Sequence, residues 1–243
     1  MFLEKQVILL DFKKNKLFLQ HIFRCNMIQS VITGDIVGSS KLDMEERKKV
    51  LSVLNDTLLS IREIGVCNEL SFEMFRGDSF QIVLNNPACS LSVAIIIRVA
   101  LRANAPKNSK LKWDTRLSIG VGTINFASDK ITTSDGEAFR NSGRGFDKLK
   151  KNERLVINTP WCDFNKELEV STGFADTIIT KWTQKQAEAI LPELIANSPQ
   201  KDIAQQLNKT VQNINLALNT AKLPLIKKYI NRFQTKIEEY GNL

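Results

Sequence analysis

The sequence predicts an α+β protein in which a ferredoxin-like βαββαβ core precedes a small all-α helix-turn-helix module. Between residues 28 and 126, β-branched runs alternate with amphipathic helical patterns in the order strand, helix, strand, strand, helix, strand. Beyond residue 180, apolar residues recur at three- and four-residue steps, as they do in short helices. We predict an N-terminal extension over 1–26, the core domain over 27–160, a linker over 161–180 and the helix-turn-helix domain over 181–243.

The first half of the core follows from its hydrophobic periodicity. Residues 28–37 are rich in Ile and Val and predict a buried strand. Residues 41–65 carry Leu at three- and four-residue steps between charges, which predicts an amphipathic helix that ends at Gly65. The stretch "LSFEMFRGDSFQIVL" predicts two strands joined in a hairpin at Gly77-Asp78.

The second half of the core is read in the same way. Residues 88–104 are mostly apolar and predict a helix that packs against the sheet. Residues 112–126 predict a strand, and its internal Gly120 and Gly122 indicate close approach of a neighbouring backbone or ligand. A further helix over 134–152 and a strand over 154–159 are expected to follow; these lie outside the six-element core.

Composition narrows the classes of function. The chain has 243 residues, 43% hydrophobic and 25% charged, with a formal net charge of +8. That excess favours a polyanionic partner such as a nucleotide or nucleic acid. The single histidine, His21, argues against Ser-His-Asp catalysis and histidine-rich metal sites. An enzyme of this composition would work with carboxylates, basic side chains and metal ions.

Cysteine spacing and hydropathy suggest a compartment. We expect neither a structural zinc site nor a disulfide framework, and therefore a cytoplasmic protein, because no C-x-x-C pair occurs. No stretch approaches 18 uninterrupted apolar residues, so we expect no membrane partner. We interpret residues 1–26 as an extension from an upstream start codon, because the natural first strand opens at Met27; a genuine appendage is the alternative. The four cysteines are Cys25, Cys67, Cys89 and Cys162.

Two carboxylates stand out by their position in this predicted sheet. Asp35 ends the first strand and Asp78 lies in the hairpin, so neighbouring strands can bring both to one edge. Carboxylate oxygens in such a pair suit Mg²⁺ when substrate phosphates complete its coordination shell. The following residues are small enough for backbone N–H groups to form a phosphate cradle, to which we expect the next helix to add its positive end. We predict phosphate binding by Ile36, Val37, Gly38, Ser39 and Ser40.

Four motifs resemble those of class III nucleotidyl cyclases. "VITGDIVGSS" and "FEMFRGDSF" resemble their first metal motif and their metal-binding hairpin. "RLSIGVGTI" and "GEAFRNSGR" resemble a strand and a helix that follow in the same order. Together they span roughly residues 28–150 and imply the nucleotidyl cyclase type of ferredoxin-like core. Within that class the chain resembles the SatD-like group of small bacterial proteins, which opens with "VITGDIV" and ends in a helix-turn-helix.

The resemblance implies roles for particular residues. Asp35 and Asp78 match the ligands of Mg²⁺ or Mn²⁺, with two ions bound in an active enzyme. Arg144, eight residues after Gly136, matches the arginine that stabilises charge on the phosphates. In the family that arginine acts in trans across a two-fold dimer, which implies a homodimer here. The implied ligand is a nucleoside triphosphate or a related phosphorylated compound.

Base and ribose recognition departs from the family pattern. The position of the purine-selecting Lys is Met74, and the position of the ribose-orienting Asn is Arg140. Asn141 lies one step off, about 100° around a helix. We therefore expect a phosphorylated ligand with altered base preference.

The tail has the spacing of a helix-turn-helix. Ala204 allows close helix crossing, Asn208 suits a left-handed turn, and we expect three residues to face inward on the second helix, Val211, Ile214 and Leu218. Asn and Gln can contact adenine edges, and Lys can contact phosphates. The predicted DNA-binding residues are Lys209, Thr210, Gln212, Asn213 and Asn215.

Three functions fit these features. The first is a ligand-responsive transcriptional regulator, in which a cyclase-like domain binds a metal–nucleotide ligand and the helix-turn-helix binds DNA. The second is an active nucleotidyl cyclase whose tail assists dimerisation or regulation. The third is a catalytically dead scaffold that binds a protein partner.

Overall fold

The structure of the protein is a computed structural model that describes residues 27–75, 77–107, 109, 111–126 and 131–241. The predicted N-terminal extension, 1–26, lies outside these residues. None of the helices in the described part of the chain combines the length and the apolar character needed to cross a membrane.

The six elements predicted for the core are present, and a short strand over 135–136, where a helix was predicted, adds to the sheet. The strands are β1 (Ile28–Ile36), β2 (Leu70–Phe75), β3 (Ser79–Leu84), β4 (Thr115–Phe126), β5 (Asp135–Gly136) and β6 (Leu155–Asn158). The helices are α1 (Met44–Glu63), α2 (Ser90–Ala103), α3 (Glu137–Lys148), α4 (Cys162–Lys181), α5 (Gln184–Ala196), α6 (Gln200–Gln206), α7 (Val211–Thr220) and α8 (Leu223–Gly241).

The sheet confirms an α+β fold with a ferredoxin-like strand order. Strands β2, β3, β1 and β4 are neighbours in that order and pair antiparallel. Beyond β4, strand β5 pairs antiparallel and strand β6 pairs parallel. The hairpin turns at Gly77, whose φ of 76° lies in the left-handed region, as predicted for this position. The first strand therefore occupies the centre of the sheet, and Asp35 near its end is surrounded by elements on both sides.

Helices cover the two faces of the sheet differently. The buried side of α1, which includes Leu54, Leu58 and Ile61, packs in the main core with α2. Helix α3 lies on the other face, where a Cβ built on Gly120 would stand 2.2 Å from the backbone oxygen of Ala138. The close approach predicted from this glycine is therefore confirmed, and it fixes α3 against β4.

The predicted linker is instead a 20-residue helix, α4. Its buried positions include Phe164, Leu168 and Ile179, which recur along one face and belong to the main core. The sequence obscures this period because polar Asp176 and Thr172 are also buried on the helix. The tail is thus packed on the core through a continuous helical connection.

A helix cap and an indole hydrogen bond anchor the tail. Thr183 caps α5 in a reciprocal capping box with Gln186. Trp182 is 2% exposed, and its indole N–H donates to the carbonyl oxygen of Ala221 at 2.7 Å. This bond ties the start of α5 to the end of α7.

A buried network of ion pairs joins the sheet, α2 and α4. The carboxylate of Asp114 accepts from Arg98 at 2.9 and 3.0 Å and from Arg102 at 2.7 Å. Arg98 also donates to Asp176 at 2.6 Å. Burial acts to raise the pKa of Asp114, but the two arginines outweigh it and hold that pKa below its usual value. The pKa of Arg102 is lowered, chiefly by burial.

One expectation about the cysteines is wrong. Cys67 follows α1 and Cys89 precedes α2; both are buried and they form a disulfide, with Cα atoms 6.0 Å apart. Their separation of 22 residues contains no recognisable motif. Only the packing of the two helix ends brings them together, so spacing along the sequence could not reveal the pair. Cys162 is free and exposed.

Candidate ligand site at the end of the first strand

Asp35 is held by an arginine from the neighbouring strand. Arg116, directly opposite Asp35 in the β1–β4 register, donates from Nε to Oδ1 at 3.0 Å and from Nη2 to Oδ2. The Asp35 side chain is 18% exposed and that of Arg116 is 34% exposed. The hydrogen bond to Asp35 raises the pKa of the guanidinium. Arg116 also lies over the ring of Phe146 on α3, 5.3 Å from its centroid.

Asp78 lies at the adjacent end of β3. Its backbone oxygen accepts from the N–H of Ile36 at 3.0 Å, which fixes the hairpin beside the end of β1. Its Oδ2 accepts from the hydroxyl of Ser39 at 2.6 Å, while Oδ1 is 3.4 Å from the hydroxyl of Ser79. The structure therefore links Asp78 directly to the segment that follows Asp35.

The predicted phosphate segment is only partly available. The N–H of Ile36 is bonded to Asp78, and that of Val37 donates to the backbone oxygen of Asp114 at 3.0 Å. Gly38 has a φ of 69° and precedes a single 3-10 turn over Ser39–Lys41. Any anion cradle in this segment is thereby restricted to the backbone N–H groups of Gly38, Ser39 and Ser40.

The expected contribution from a helix N-terminus is not present at this loop. Helix α1 begins only at Met44, where the carboxylate of Asp43 accepts from the N–H of Glu46 at 2.8 Å. Two glutamates, Glu45 and Glu46, follow in the first turn. These acidic groups already complement the positive end of the helix, so it offers little to a phosphate.

Helix α3 lies on one face of the sheet, and its polar residues differ in their partners. Arg140 forms an exposed ion pair with Asp135 at 2.9 Å. The Asn141 amide donates to the backbone oxygen of Val121 at 2.8 Å, so it serves the packing of α3. Arg144 is exposed and forms no ion pair with any acidic residue that the structure describes.

Met74 lies on β2 opposite Phe80 and packs partly buried against the core. Its thioether is a weak hydrogen-bond acceptor and carries no charge, so this position offers a purine little polar recognition. The altered base preference inferred from the sequence remains a prediction.

The residues around Asp35 do not, as arranged, fit a pair of divalent cations. Both carboxylate oxygens of Asp35 are occupied by Arg116, and one oxygen of Asp78 is occupied by Ser39. Among the described residues, no cluster of three or more His, Cys, Asp or Glu could hold a metal ion. A cation at Asp35 would have to replace the Arg116 guanidinium.

Arg116 is the site residue that sequence reasoning missed. It opens the motif "RLSIGVGTI", but nothing in the linear sequence indicates that it opposes Asp35. The antiparallel pairing of β1 with β4 could have indicated this contact, because it sets charged residues at the two strand ends opposite one another.

The tail presents a second polar surface. Helices α6 and α7 are joined by a turn in which Asn208 has a φ of 51°, as predicted. Ile203 and Ile214 are buried between them, whereas Val211, which the sequence places inside, is 43% exposed. Val211 is the first residue of α7, where a side chain projects beyond the end of the helix contact.

The five predicted DNA-binding residues are all exposed on this surface. The hydroxyl of Thr210 caps α7 by accepting from the N–H of Asn213 at 3.2 Å. The Asn215 amide donates to Gln200 at 3.3 Å. The remaining polar side chains, those of Lys209, Gln212 and Asn213, form no side-chain hydrogen bond with the described residues.

The chain is similar in structure to solved nucleotidyl cyclase domains, at low sequence identity. The chain is similar to the active GGEEF domain of a diguanylate cyclase from Vibrio cholerae (21% identity, 54% of this chain and 83% of that chain, TM-score 0.38). It is also similar to an adenylyl cyclase from P. aeruginosa (18% identity, 59% of this chain and 81% of that chain, TM-score 0.40). A third similar structure is a dimeric guanylyl cyclase domain from the aquatic fungus Blastocladiella emersonii (13% identity, 54% of this chain and 79% of that chain, TM-score 0.39). No protein-family model and no curated protein sequence matches the chain. Likeness of this degree does not identify an activity.

Proposed function

We propose that this protein is a regulator whose core binds a phosphorylated nucleotide at the end of β1 and whose tail binds DNA. The observation that carries the first part is the contact between Asp35 and Arg116, beside Asp78 and Ser39. A guanidinium, a hydroxyl and a small-residue loop are suited to phosphate oxygens. This cluster is polar, partly exposed and located at the end of the central strand β1.

Arg116 supplies the recognition step in this proposal. A phosphate that enters the site takes the guanidinium donors, because paired N–H groups bind phosphate oxygens in a bidentate manner. Asp35, once released, would be the residue that holds a divalent cation accompanying the nucleotide. Mg²⁺ or Mn²⁺ would then take the place on the Asp35 carboxylate that Arg116 holds in the structure.

The DNA-binding part rests on the exposed side chains of α7. Gln212 and Asn213 can donate to and accept from adenine edges, and Lys209 can contact a phosphate. Residues 181–243 contain nine Lys or Arg and five Asp or Glu, a net charge of +4. That charge is modest, so two copies on one DNA site would bind more firmly than one.

The nucleotide part is tested by calorimetry with Mn²⁺ and each of the four ribonucleoside triphosphates. We expect binding of at least one, weakened in Asp35→Asn and Asp78→Asn. The matched control, Asp163→Asn, changes an exposed aspartate on α4 and should bind as the wild type does. Failure of every triphosphate to bind would contradict the proposal.

The DNA part is tested by a gel shift with genomic fragments at several salt concentrations. Affinity should fall steeply as salt rises if phosphates are contacted. The double variant Gln212→Ala and Asn213→Ala should lose sequence preference, whereas Gln205→Ala, an exposed glutamine on α6, should retain it. Equal binding by both would mean that α7 is not the recognition helix.

An active nucleotidyl cyclase is the second candidate, favoured by the presence of both carboxylates. The same incubations with Mg²⁺ or Mn²⁺ distinguish it. Cyclic product and pyrophosphate, lost in Asp35→Asn, would establish turnover, whereas binding without product supports a sensor. Absence of nucleotide and DNA binding alike would leave the scaffold as the surviving hypothesis.

A further inference from the structure

An apolar groove runs along the outside of the tail between α4 and α8. The two helices are antiparallel: Phe164, near the start of α4, stacks on Tyr240 near the end of α8 and on Phe233 in its middle. Further along, Thr172 bonds with Tyr229 at 2.5 Å. The groove encloses about 440 Å³. Its apolar lining is formed mainly by Leu168, Phe174, Ile178, Leu225, Tyr229 and Phe233.

Large apolar side chains are exposed at the groove and next to it. Phe174 and Leu225, which line the groove, are 71% and 55% exposed, and Val170, which lies on α4 outside the lining, is 62% exposed. Val170, Phe174 and Ile178 follow at four-residue steps, so they form one stripe on α4. The opposite face of that helix is already buried in the core. A contiguous apolar patch of this kind is typical of a surface that binds a partner.

We propose that this groove binds a second copy of the chain, with a two-fold axis parallel to the helices. Rotation about such an axis sets α4 of one copy against α8 of the other. Two antiparallel helix pairs then close into a four-helix bundle, whose core contains the α4 stripe of each copy. The surface belongs to the tail and is separate from the site at Asp35.

Charges on the two walls favour this partner. The α4 wall carries Glu167, and the α8 wall carries Lys228 and Arg232. Glu167 and Arg232 form an ion pair at 2.9 Å, which places them at one level of the groove. The axis preserves that level, so each Glu167 also faces Arg232 and Lys228 of the other copy. Lys228 has no ion-pair partner among the described residues, and the second copy provides one.

The size of the face is sufficient for a dimer. Helix α4 has 20 residues and α8 has 19. Side by side, such helices present about 30 Å by 20 Å, or roughly 600 Å² per copy. That area lies at the lower end of standard interfaces, which bury about 1,200 Å² or more in total. Phe174, the most exposed of the apolar side chains on this face, supplies an aromatic anchor of the kind that dominates such interfaces.

Sedimentation equilibrium of the full chain tests the proposal. The wild type should dimerise at about 100 μM or below, and Phe174→Asp or Leu225→Asp should raise the dissociation constant by about 30-fold or more. Leu216→Asp is the matched control, because Leu216 is 62% exposed on α7, outside the groove. Circular dichroism confirms that each variant is folded.

Cross-linking tests the direction of the axis. In a background of Cys25→Ser and Cys162→Ser, Glu167→Cys protein mixed with Arg232→Cys protein should form a disulfide between the two chains. A monomeric wild type at about 100 μM, or a dimer indifferent to both Asp variants, would overturn the proposal and assign the groove to another partner. Cross-links only between identical variants would overturn the axis. None of these results depends on nucleotide or DNA binding.

Discussion

Replacing Asp114 by Asn should destabilise the fold more than any surface substitution. The side chain is one of the most connected in the protein: it accepts from Arg98 twice, from Arg102 once and from the N–H of Thr115 at 2.9 Å. Asp114 is 4% exposed and Arg98 is 1% exposed. Asparagine keeps the size of the side chain, but it removes the charge and directs N–H groups toward guanidinium donors.

The expected magnitude follows from burial. Removal of one partner from a buried ion pair costs about 3–5 kcal/mol, because the remaining charge stays buried without compensation. Here Asp176 still pairs with Arg98 at 2.6 Å, whereas Arg102 keeps only backbone carbonyl acceptors. We therefore expect a loss of about 3 kcal/mol, a large part of the 5–15 kcal/mol that stabilises a typical domain.

Urea unfolding followed by circular dichroism, in the presence of reductant, measures this loss. The control is Asp163→Asn, which breaks an exposed pair with Lys166 at 3.1 Å and should match the wild type. A loss of unfolding free energy smaller than about 1 kcal/mol in the Asp114 variant would contradict this prediction, because it would mean that the arginines find other partners or water. The tail should loosen with it, because the network joins α4 to the sheet.

Acid should weaken the same network: the pKa of Asp114 is lowered in the folded state, so its contribution is present above its ordinary value of 3.8 and is lost as pH falls through the lower folded pKa. The unfolding free energy measured between pH 5 and pH 2 should thus fall less steeply in Asp114→Asn than in the wild type. Arg116→Ala should free the carboxylate of Asp35 and strengthen Mn²⁺ binding about fivefold, the equivalent of ~1 kcal/mol for a partly exposed pair; unchanged or weaker binding in a calorimetric titration would show that Arg116 does not compete with the cation. Gly120→Ala should cost about 3 kcal/mol, because its Cβ would stand 2.2 Å from backbone atoms of α3. Gly143 lies on α3, and a Cβ built there would have no neighbouring atom within 4 Å. Gly143→Ala should therefore be neutral or stabilise the fold by up to about 1 kcal/mol. Equal effects of the two substitutions on urea unfolding would contradict the packing argument.

Local chemistry accounts for the elements that could be predicted. The turn at Gly77, the Thr183 cap and the left-handed Asn208 each depend on residues within a few positions along the chain. Hydrophobic periodicity located β1 and α1 for the same reason. The helix α4 was not predicted, because buried Thr172 and Asp176 interrupt its apolar period. Their burial depends on partners far along the sequence.

The candidate site, like the fold, could be predicted only in part. The amino-acid sequence alone places Asp35 at the end of one strand, Asp78 in the adjacent hairpin and a segment of small residues after Asp35. Three features follow only from the packed chain: Arg116 occupies Asp35, Val37 donates to Asp114, and the loop is separated from the start of α1. The physical reason is that a residue's local preference is encoded by its neighbours, whereas the partner of a charge is chosen by strand register and burial. Those depend on the whole packed chain.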